Sequence, residues 1–287
     1  MTVFHTEVKP IRGNASVPVV YAVERAVRIL GAFTVERPTL SLGEIAHHVG
    51  LSKSTVRRLL LTLQHTGLVA SDPASTHYRL GIRCLELGAA AQAATDLRQC
   101  ALPVMRRLVQ EVGETAYLLV PRGAEAICLE IAEARRGVRV LFAEVGTAFP
   151  LHAGAAPRAL LAAAPDGVVR DLLTRPLRRY TPDTIADAAT LERDIQTTRA
   201  RGYSISVDDL VEGVAGIGAL IWDRRVDAVA AISISGIKNR LLGAEQERLT
   251  RAVVEAAHEI SRAIGCPPDR LPAGPWPPAL RPDAPQH

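Results

Sequence analysis

Apolar residues recur at helical spacing early in the chain. One group recurs every three or four residues, the period of one face of a helix; its members are Val23, Ala26, Val27, Leu30 and Phe33. Pro38 interrupts this pattern. Ser41, followed three residues later by Glu44, is typical of a capping box, in which both side chains bind free backbone amides at a helix start. The sequence therefore predicts two helices, the second of them ended by Gly50.

A third helix is predicted between Ser52, a suitable N-cap, and Gly67. Two short extended runs follow, LVASD and HYRL, and the turn-forming residues PAST between them predict a hairpin. Three helices and a hairpin in this order are the layout of a winged helix-turn-helix domain. The short turn that contains Gly50 is the kind of connection that this motif uses between its second and third helices.

The third predicted helix has two chemically different faces. Its apolar face consists of Val56, Leu59, Leu60 and Leu63. Its first turns instead carry hydroxyl groups and cations, which suits a recognition helix whose N-terminal residues contact base edges and phosphates. With two residues of the hairpin added, the candidate DNA contacts are Ser52, Lys53, Ser54, Thr55, Arg57, Arg58, Tyr78 and Arg79.

Charge supports this interpretation only where it is localised. The whole chain carries +4 with a pI near 9.1, which permits a polyanionic partner without requiring one. Residues 21–82 contain seven Lys and Arg against four Asp and Glu. A polar helix face that merely contacts water is the alternative, but the capping box, the glycine turn and the basic hairpin together favour DNA binding. Which side chains contact bases and which contact phosphates stays open.

The remainder of the chain alternates helical and extended patterns. CLELGAAAQAATDLRQ is alanine-rich and predicts a helix that connects two domains or contacts a partner chain. Residues 97–112 predict an amphipathic helix that ends at Gly113. Strands are predicted at TAYLLVP, EAICLEIAE, VRVLFAEVG, YSISV, GIGALIW and AVAAISIS, and helices at APRALLAAAP, 190–201 and 243–264. This mixture predicts an α/β domain around an antiparallel or mixed sheet.

Serines occupy alternate positions in two of these apolar strands. Ser204 and Ser206 form one pair, and Ser233 and Ser235 form the other. Because side chains alternate along a strand, each pair lies on one face. The hydroxyls either bind neighbouring backbone groups or line a cavity and bind a ligand.

Composition excludes several other classes of protein. The first residues lack the apolar run of a secretory signal, and no stretch approaches the roughly 18 to 20 apolar residues of a membrane helix. Four scattered cysteines without a C-x-x-C pair favour reduced thiols in the cytoplasm over disulfides or a zinc site. The mixed polar N-terminus and a C-terminal segment with eight prolines in 21 residues predict disordered tails.

No catalytic or cofactor motif is present. The chain lacks the G-x-S-x-G nucleophile elbow, the P-loop and the dinucleotide fingerprint. His152 has no acidic neighbour in sequence and is expected to be a packed or loop histidine. We therefore predict neither an enzyme nor a cofactor or metal site.

The segments YAVERAVRIL, LSLGEIAHHVGLSKSTVRRLLLTL and YRLG resemble the DNA-binding half of IclR-type bacterial transcriptional regulators, and the resemblance extends from Tyr21 to Gly265. It implies an α+β or α/β chain in which a winged helix-turn-helix is joined by a linker helix to a GAF-like effector-binding domain. We expect a disordered tail at 1–18, the DNA-binding domain at 19–82 and the linker helix at 83–99. The effector-binding domain is expected at 100–266 and a proline-rich disordered tail at 267–287.

The same resemblance implies an effector pocket, built from the segments FPLHAGAAPRA, SISVDDLVEGVAG and ISISG. Its apolar walls would be Val138, Leu141 and Phe149. Its other members would be Ala155, Ala156, Ser206, Asp208, Gly216, Ser233 and Ser235, with the amides of Ala155 and Ala156 and the three serines at the polar end.

The chain departs from the family pattern inside this pocket. Pro157 and Arg158 replace a usual glycine-lysine pair, Ser206 stands where an acid is common, and Ala215 and Gly216 replace an arginine-cysteine pair. These changes alter the size and the polarity of the pocket. The expected effector is a carboxylic acid or a related amide, with a larger molecule left open.

The resemblance implies a cytoplasmic regulator that binds a double-stranded DNA operator as a dimer or a dimer of dimers, without contacting a membrane. A small-molecule effector would change its operator affinity. Repression of an adjacent catabolic operon is the commoner mode in the family, and activation is also known. Two alternatives use the same DNA-binding head, namely an enzyme and an architectural DNA-binding protein that senses no metabolite.

Overall fold

The computed structural model describes residues 20–34, 37–71, 76–93, 96–134 and 143–271. The chain forms two compact units that divide between Thr95 and Asp96. The predicted N-terminal tail and residues 272–287 of the predicted C-terminal tail lie outside the described residues. Residues 267–271 are described, and they contain a short 3-10 helix, Pro268–Arg270. Structure thus continues past the predicted start of that tail, because the fixed φ of proline suits a first helical turn.

The first unit contains four helices and three short strands among its described residues. They are α1 (Tyr21–Leu30), β1 (Thr39–Ser41), α2 (Leu42–Val49), α3 (Lys53–His65), β2 (Val69–Ser71), β3 (His77–Leu80) and α4 (Ile82–Ala93). Apolar side chains from α1, α2, α3, β1 and β2 form one buried core, in which Ile29, Ile45, Val56 and Leu60 are fully covered.

Local capping explains where the second and third helices begin and end. The Glu44 amide donates to Ser41 Oγ at 3.3 Å, and the Ser41 amide donates to Glu44 Oε2 at 2.7 Å, so the predicted capping box is confirmed. Gly50, with φ of 65°, ends α2 in the left-handed conformation that glycine adopts without strain. Ser52 caps α3 by accepting from the Thr55 amide at 3.3 Å. The turn between the two helices is therefore residues 50–52, as predicted.

The predicted hairpin is also confirmed, because β2 and β3 pair antiparallel from Val69–Leu80 to Ser71–Tyr78. β1 pairs with the other edge of β3, which gives the strand order β1-β3-β2. Sequence reasoning missed β1, since three residues are too few to show a strand period. The predicted linker segment 83–99 is divided between α4 and the next helix, which begins at Asp96.

The second unit contains six strands and six α-helices among its described residues. The strands are β4 (Thr115–Arg122), β5 (Glu125–Ala132), β6 (Ala148–Pro150), β7 (Ser204–Val207), β8 (Val214–Trp222) and β9 (Ala228–Ile237). The helices are α5 (Asp96–Val112), α6 (Ala155–Ala163), α7 (Asp166–Leu173), α8 (Ala188–Arg201), α9 (Lys238–Leu241) and α10 (Gln246–Ala263).

The six strands form one sheet in the order β6-β5-β4-β9-β8-β7. Every pairing within its described part is antiparallel, which settles the choice between an antiparallel and a mixed sheet. Most of the predicted strand VRVLFAEVG lies outside the described residues. Its described end is a turn instead, in which the Thr147 amide donates to the Glu144 carbonyl at 3.0 Å, so the strand prediction is wrong there.

The sheet has a helical layer on each face. α5 and α10 cover one face and share a core with alternate residues of β4, β8 and β9, among them Leu118, Ile217 and Ile232. α6 lies on the opposite face against β8 and β9, and α8 packs against α6. The start of α6 is therefore placed over the middle of the sheet, on the face that carries the paired serines.

Candidate nucleic-acid interface and ligand pocket

The third helix of the first unit separates its apolar and basic residues in space. Val56, Leu60 and Leu63 are buried against the core of the unit, and Leu59 is half-buried. Arg57 and Arg58 are exposed on the other side, as are Lys53 and Ser54 in the first turn, whereas Thr55 is half-buried. The predicted division of α3 into a packing face and a polar face is confirmed.

The exposed cations of this surface are not neutralised by any acid that the structure describes. Within the described residues no ion pair involves Lys53, Arg57, Arg58 or Arg79. Salt bridges between these cations and carboxylates would compete with a phosphate. The surface can therefore offer its positive charges to a polyanion.

Two candidate DNA contacts also have structural roles. The Ser52 hydroxyl lies 3.0 Å from the Ser54 hydroxyl and 2.9 Å from the Thr55 hydroxyl, and it also caps the helix. A DNA contact through Ser52 would therefore share an oxygen that already holds the first turn of α3. Tyr78 is half-buried and packs against the core of the unit, whereas the neighbouring Arg79 is exposed.

A cavity of about 440 Å³, including its open mouth, lies in the second unit between the start of α6 and the sheet. Its lining residues come from four chain segments. They are Tyr117, Leu119, Phe149, Gly154, Ala155, Ala156, Pro157, Ser206, Asp209, Leu210, Val211, Val214, Ser233 and Ser235. Six predicted pocket residues are among them: Phe149, Ala155, Ala156, Ser206, Ser233 and Ser235.

Two other predicted pocket residues, Asp208 and Gly216, do not line this cavity. Val138 and Leu141 lie outside the described residues. Asp208 is held elsewhere, because its carboxylate accepts from the Gly213 amide at 2.6 Å and pairs with Lys238 Nζ. That hydrogen bond from Lys238 is the main cause of the lowered pKa of Asp208. Gly216 lies beneath α6, where a Cβ on it would come within 3.1 Å of Ala155 Cβ.

Strand register explains why serines and glycines meet under α6. Ser233 on β9 is paired with Gly218 on β8, which is paired with Ser204 on β7. The next row on the same face contains Ser235, Gly216 and Ser206. The glycines leave space on β8 for the start of α6, and the serines flank that space on both sides.

The serines divide into a structural one and three that face the cavity. Ser204 Oγ donates to the Ala155 carbonyl at 2.6 Å and lies 3.3 Å from the Gly218 carbonyl, so it ties α6 to the sheet. None of the hydrogen bonds found among the described residues uses the hydroxyl of Ser206, Ser233 or Ser235. These three residues are more than nine-tenths buried, so their hydroxyls need a partner.

The start of α6 adds backbone donors to the same cavity. Gly154 precedes the helix with φ of 90°, and its amide donates to Asp209 Oδ2 at 2.9 Å. The next two amides, of Ala155 and Ala156, belong to the first turn, where a helix provides no internal acceptor. Pro157 follows and has no amide hydrogen to donate.

Arg158 and Asp209 form a buried ion pair beneath the helix start. Arg158 Nη1 lies 3.2 Å from Asp209 Oδ2, while Arg158 Nη2 lies 2.7 Å from Asp194 Oδ1 and 2.5 Å from the Ile205 carbonyl. Burial raises the pKa of the Asp209 carboxyl, although Arg158 and the Gly154 amide act in the opposite direction. At the position where the chain departs from the family pattern, the Arg158 guanidinium is therefore shared by two carboxylates, those of Asp194 and Asp209.

Several lining residues were missed by sequence reasoning. Tyr117 and Leu119 are on the cavity face of β4, and Tyr117 is paired with Ser233 on β9. Burial raises the pKa of the Tyr117 hydroxyl. Tyr117 and Leu119 are two residues apart, which predicts that both lie on one face of their strand. Only the pairing of β4 with β9 shows that this face is the one that carries the serines. Asp209 also lines the cavity, although only its neighbour Asp208 is among the predicted pocket residues.

His152 is a packed residue, as expected. Its ring is buried, and Nε2 lies 2.9 Å from the Arg178 carbonyl. Burial is the main cause of its lowered pKa, because it disfavours the charged imidazolium. Across the described ranges no group of three His, Cys, Asp or Glu side chains is placed to hold a metal ion. None of the described helices is both long enough and apolar enough to span a membrane.

Comparison with known families places both units. Residues 22–73 match the family model of the IclR helix-turn-helix domain. Residues 89–262 match that of the bacterial transcriptional regulator IclR C-terminal domain, which is more than half of the chain. The chain belongs to the IclR family. It is thus a transcriptional regulator with a helix-turn-helix DNA-binding domain and an effector domain.

Individual relatives align with this IclR-family chain over nearly their whole length. The HTH-type transcriptional repressor AllR of Klebsiella pneumoniae is 34% identical over 248 residues, which are 86% of this chain and 91% of AllR. A putative IclR transcriptional regulator from Silicibacter sp. superposes with a TM-score of 0.80 at 26% identity, covering 86% of this chain and 98% of that one. An IclR homologue from Microbacterium hydrocarbonoxydans, crystallised with 4-hydroxybenzoate, has a TM-score of 0.72 at 31% identity. The match covers 85% of this chain and 98% of the Microbacterium chain.

Proposed function

We propose that this IclR-family chain is a cytoplasmic regulator that binds a pseudo-palindromic double-stranded DNA operator and represses an adjacent catabolic operon. A small-molecule effector in the cavity of the second unit would change its operator affinity. The observation that carries the DNA-binding part is the exposed basic face of α3, whose cations have no ion-pair partner among the described residues. The repressor assignment is supported by the name of AllR.

The start of α3 has the chemistry that operator recognition needs. Arg57 and Arg58 can each donate two hydrogen bonds to O6 and N7 of a guanine, whereas Lys53 and Arg79 can contact phosphates as charges. The buried residues behind them hold the helix rigidly to its unit. A rigid support is necessary because base recognition depends on placing the donors accurately.

Gel-shift titrations of Arg57→Ala and Arg58→Ala on operator and random DNA test this assignment. Removing an arginine that reads a base should weaken operator binding by about 1–3 kcal/mol and weaken binding to random DNA less. A phosphate contact should instead weaken binding to all sequences alike and reduce the salt dependence by about one counterion.

Arg106→Ala is the matched control, because Arg106 is an exposed arginine on α5 in the second unit and its removal changes the net charge equally. We expect the control to bind operator like the wild type. Equal operator binding by Arg57→Ala, Arg58→Ala and the control would remove α3 from the DNA interface.

The cavity supports the effector part of the proposal. Three serines that are more than nine-tenths buried face it, together with two helix-start amides and an apolar wall, and the serine hydroxyls have no hydrogen-bond partner among the described residues. Small-molecule sites combine a few polar groups with apolar surface in this way. The Microbacterium relative was crystallised with an aromatic hydroxy acid. The effector proposed here is a carboxylic acid or a related amide.

Replacing Ser233 and Ser235 by alanine together should abolish the rise in melting temperature that an effector produces, while DNA binding is retained. Ser204→Ala serves as the comparison, since its hydroxyl binds backbone carbonyls. That variant should melt at a lower temperature but keep the effector-induced rise. A rise that persists in Ser233→Ala/Ser235→Ala would show that the effector binds elsewhere.

Self-association as a dimer or a dimer of dimers completes the proposal. α1 and α4 expose apolar side chains, of which Val23 and Val27 are each 61% exposed, Ile82 is 69% exposed and Leu85 is 68% exposed. A second copy of the chain would cover them, and a two-fold dimer matches a palindromic site. Sedimentation equilibrium should show Ile82→Lys/Leu85→Lys with a smaller assembly than the wild type. An unchanged assembly would exclude α4 from the interface.

We take the cavity to be a sensor and not an active site, because the relatives are transcriptional regulators. Incubating the protein with candidate metabolites should return them unchanged by mass spectrometry. Turnover would make the chain an enzyme with a DNA-binding head. An architectural DNA-binding protein would instead show neither an effector response nor sequence preference.

A further inference from the structure

Asp209 brings a buried carboxylate to the wall of the cavity. The residue is only 4% exposed, and it is the only charged residue among those that line the cavity in the described part of the chain. Its hydrogen bonds from the Gly154 amide and from Arg158 both end on Oδ2, so Oδ1 accepts neither of them. Asp209 thus lines the cavity next to the start of α6, and the Arg158 guanidinium and the Gly154 amide stabilise its ionised form against the burial that raises its pKa.

The cation next to Asp209 is not available to a ligand. The two terminal nitrogens of the Arg158 guanidinium bind Asp209, Asp194 and the Ile205 carbonyl, and Arg158 does not line the cavity. One guanidinium thus serves two carboxylates. Among the described lining residues, a negatively charged ligand would meet the Asp209 carboxylate and no cation that could offset the repulsion.

The start of α6 is also a weakened site for anions. The Gly154 amide is already bound by Asp209, and Pro157 has no amide hydrogen. The Arg158 amide donates to the Gly154 carbonyl at 3.0 Å. At the helix start only the amides of Ala155 and Ala156 are left. A buried carboxylate ligand needs several donors to replace its lost hydration, and the serine hydroxyls that line the cavity are uncharged donors that cannot balance its charge.

We infer that Asp209 makes this cavity selective for neutral ligands that can both accept and donate, such as amides and alcohols, over carboxylates. The inference rests on the proposed effector function, and it narrows the proposed ligand from an acid or an amide to the amide. An amide carbonyl would accept from Ala155 and Ala156, and its NH₂ group would donate to Asp209. The serine hydroxyls, which can donate or accept, would bind the remaining polar atoms of the ligand.

Matched pairs of probes that differ in charge test this selectivity. Benzamide with benzoate, and 4-hydroxybenzamide with 4-hydroxybenzoate, have similar shapes, and only the acids are ionised near neutral pH. Isothermal titration calorimetry on the full chain should give each amide an affinity at least about tenfold above that of its acid. Acids that bind the wild type as tightly as their amides would overturn the inference.

Asp209→Asn removes the charge and should reduce the preference for amides to about threefold or less, mainly by strengthening acid binding. Asp208→Asn is the matched control, because Asp208 is an adjacent acid that pairs with Lys238 and does not line the cavity. It should keep the wild-type preference. An unchanged preference in Asp209→Asn would assign selectivity to other groups and overturn the role of Asp209.

The outcomes also separate this inference from the proposed function. If Asp209→Asn does not fold, the ratio of amide affinity to acid affinity in the wild type and in a second variant, Asp209→Ser, still tests whether Asp209 causes the selectivity. Binding of probes without a preference for amides would refute the selectivity but leave the effector cavity intact. Binding of no probe, by the wild type or by any variant, would overturn the effector cavity and the selectivity with it.

Discussion

Gly218→Ala tests the close approach of α6 to the sheet, on which the cavity depends. A Cβ at this position would lie 2.7 Å from Ser204 Oγ, 2.8 Å from the Ala155 carbonyl carbon and 2.9 Å from its oxygen. Ordinary contacts between such atoms are about 3.5–4.0 Å, so the helix start must move by roughly 0.7 Å or more. Overpacking of this kind costs about 1–3 kcal/mol, and displacement would also lengthen the bond from Ser204 to Ala155.

Urea unfolding followed by tryptophan fluorescence measures this cost. Trp222 is buried at the end of β8, and in a Trp276→Phe background it is the only tryptophan of the chain. Gly167→Ala is the control, since a Cβ on Gly167 in α7 meets nothing within 4 Å, and alanine favours helix. We expect Gly218→Ala to lose about 1–3 kcal/mol and the control to lose nothing. Equal midpoints for both variants would refute the close-packing explanation.

Three further predictions concern individual side chains. Arg158→Met should lower the free energy of urea unfolding by about 3–5 kcal/mol, because it leaves buried carboxylates without their cation. The double variant Arg158→Met/Asp209→Asn should recover part of that loss. No recovery would contradict the pairing of Arg158 with Asp209. The pKa of His152 is lowered by burial, so the unfolded state binds more protons just below its ordinary pKa. The free energy of unfolding should therefore fall as the pH is lowered through that range, and His152→Gln should weaken this dependence; an equal slope in both proteins would contradict it. Ser41→Ala should cost the first unit about 1 kcal/mol, seen as faster hydrogen exchange of the α2 amides, and unchanged exchange would show that the capping box contributes little.

The features that the sequence predicted well depend on residues close together in the chain. Ser41 and Glu44 form a capping box within one helical turn, and Gly50 ends α2 through its own backbone conformation. The two faces of α3 follow from its period alone. Such local patterns were sufficient to predict the winged helix-turn-helix and to predict that the paired serines share one face of each strand.

The chemistry of the cavity depends on distant residues and could not be predicted in full. Ser204 and Ser206 look equivalent in sequence, but only Ser204 meets the Ala155 carbonyl, 49 residues away. Asp208 and Asp209 are adjacent, yet a positive φ at Asp208 accompanies its pairing with Lys238, while Asp209 contacts the start of α6. Which acid faces the ligand is thus decided by tertiary contacts.

Selection of bound sequences from a random DNA library tests the central claim most directly. The claim is that the exposed basic start of α3, supported by its buried apolar face, reads an operator. The wild-type protein should enrich a two-fold symmetric motif, and Arg57→Ala/Arg58→Ala should lose base preference at defined positions in each half-site. Enrichment of the same motif by this variant, or no motif with the wild type, would contradict the claim.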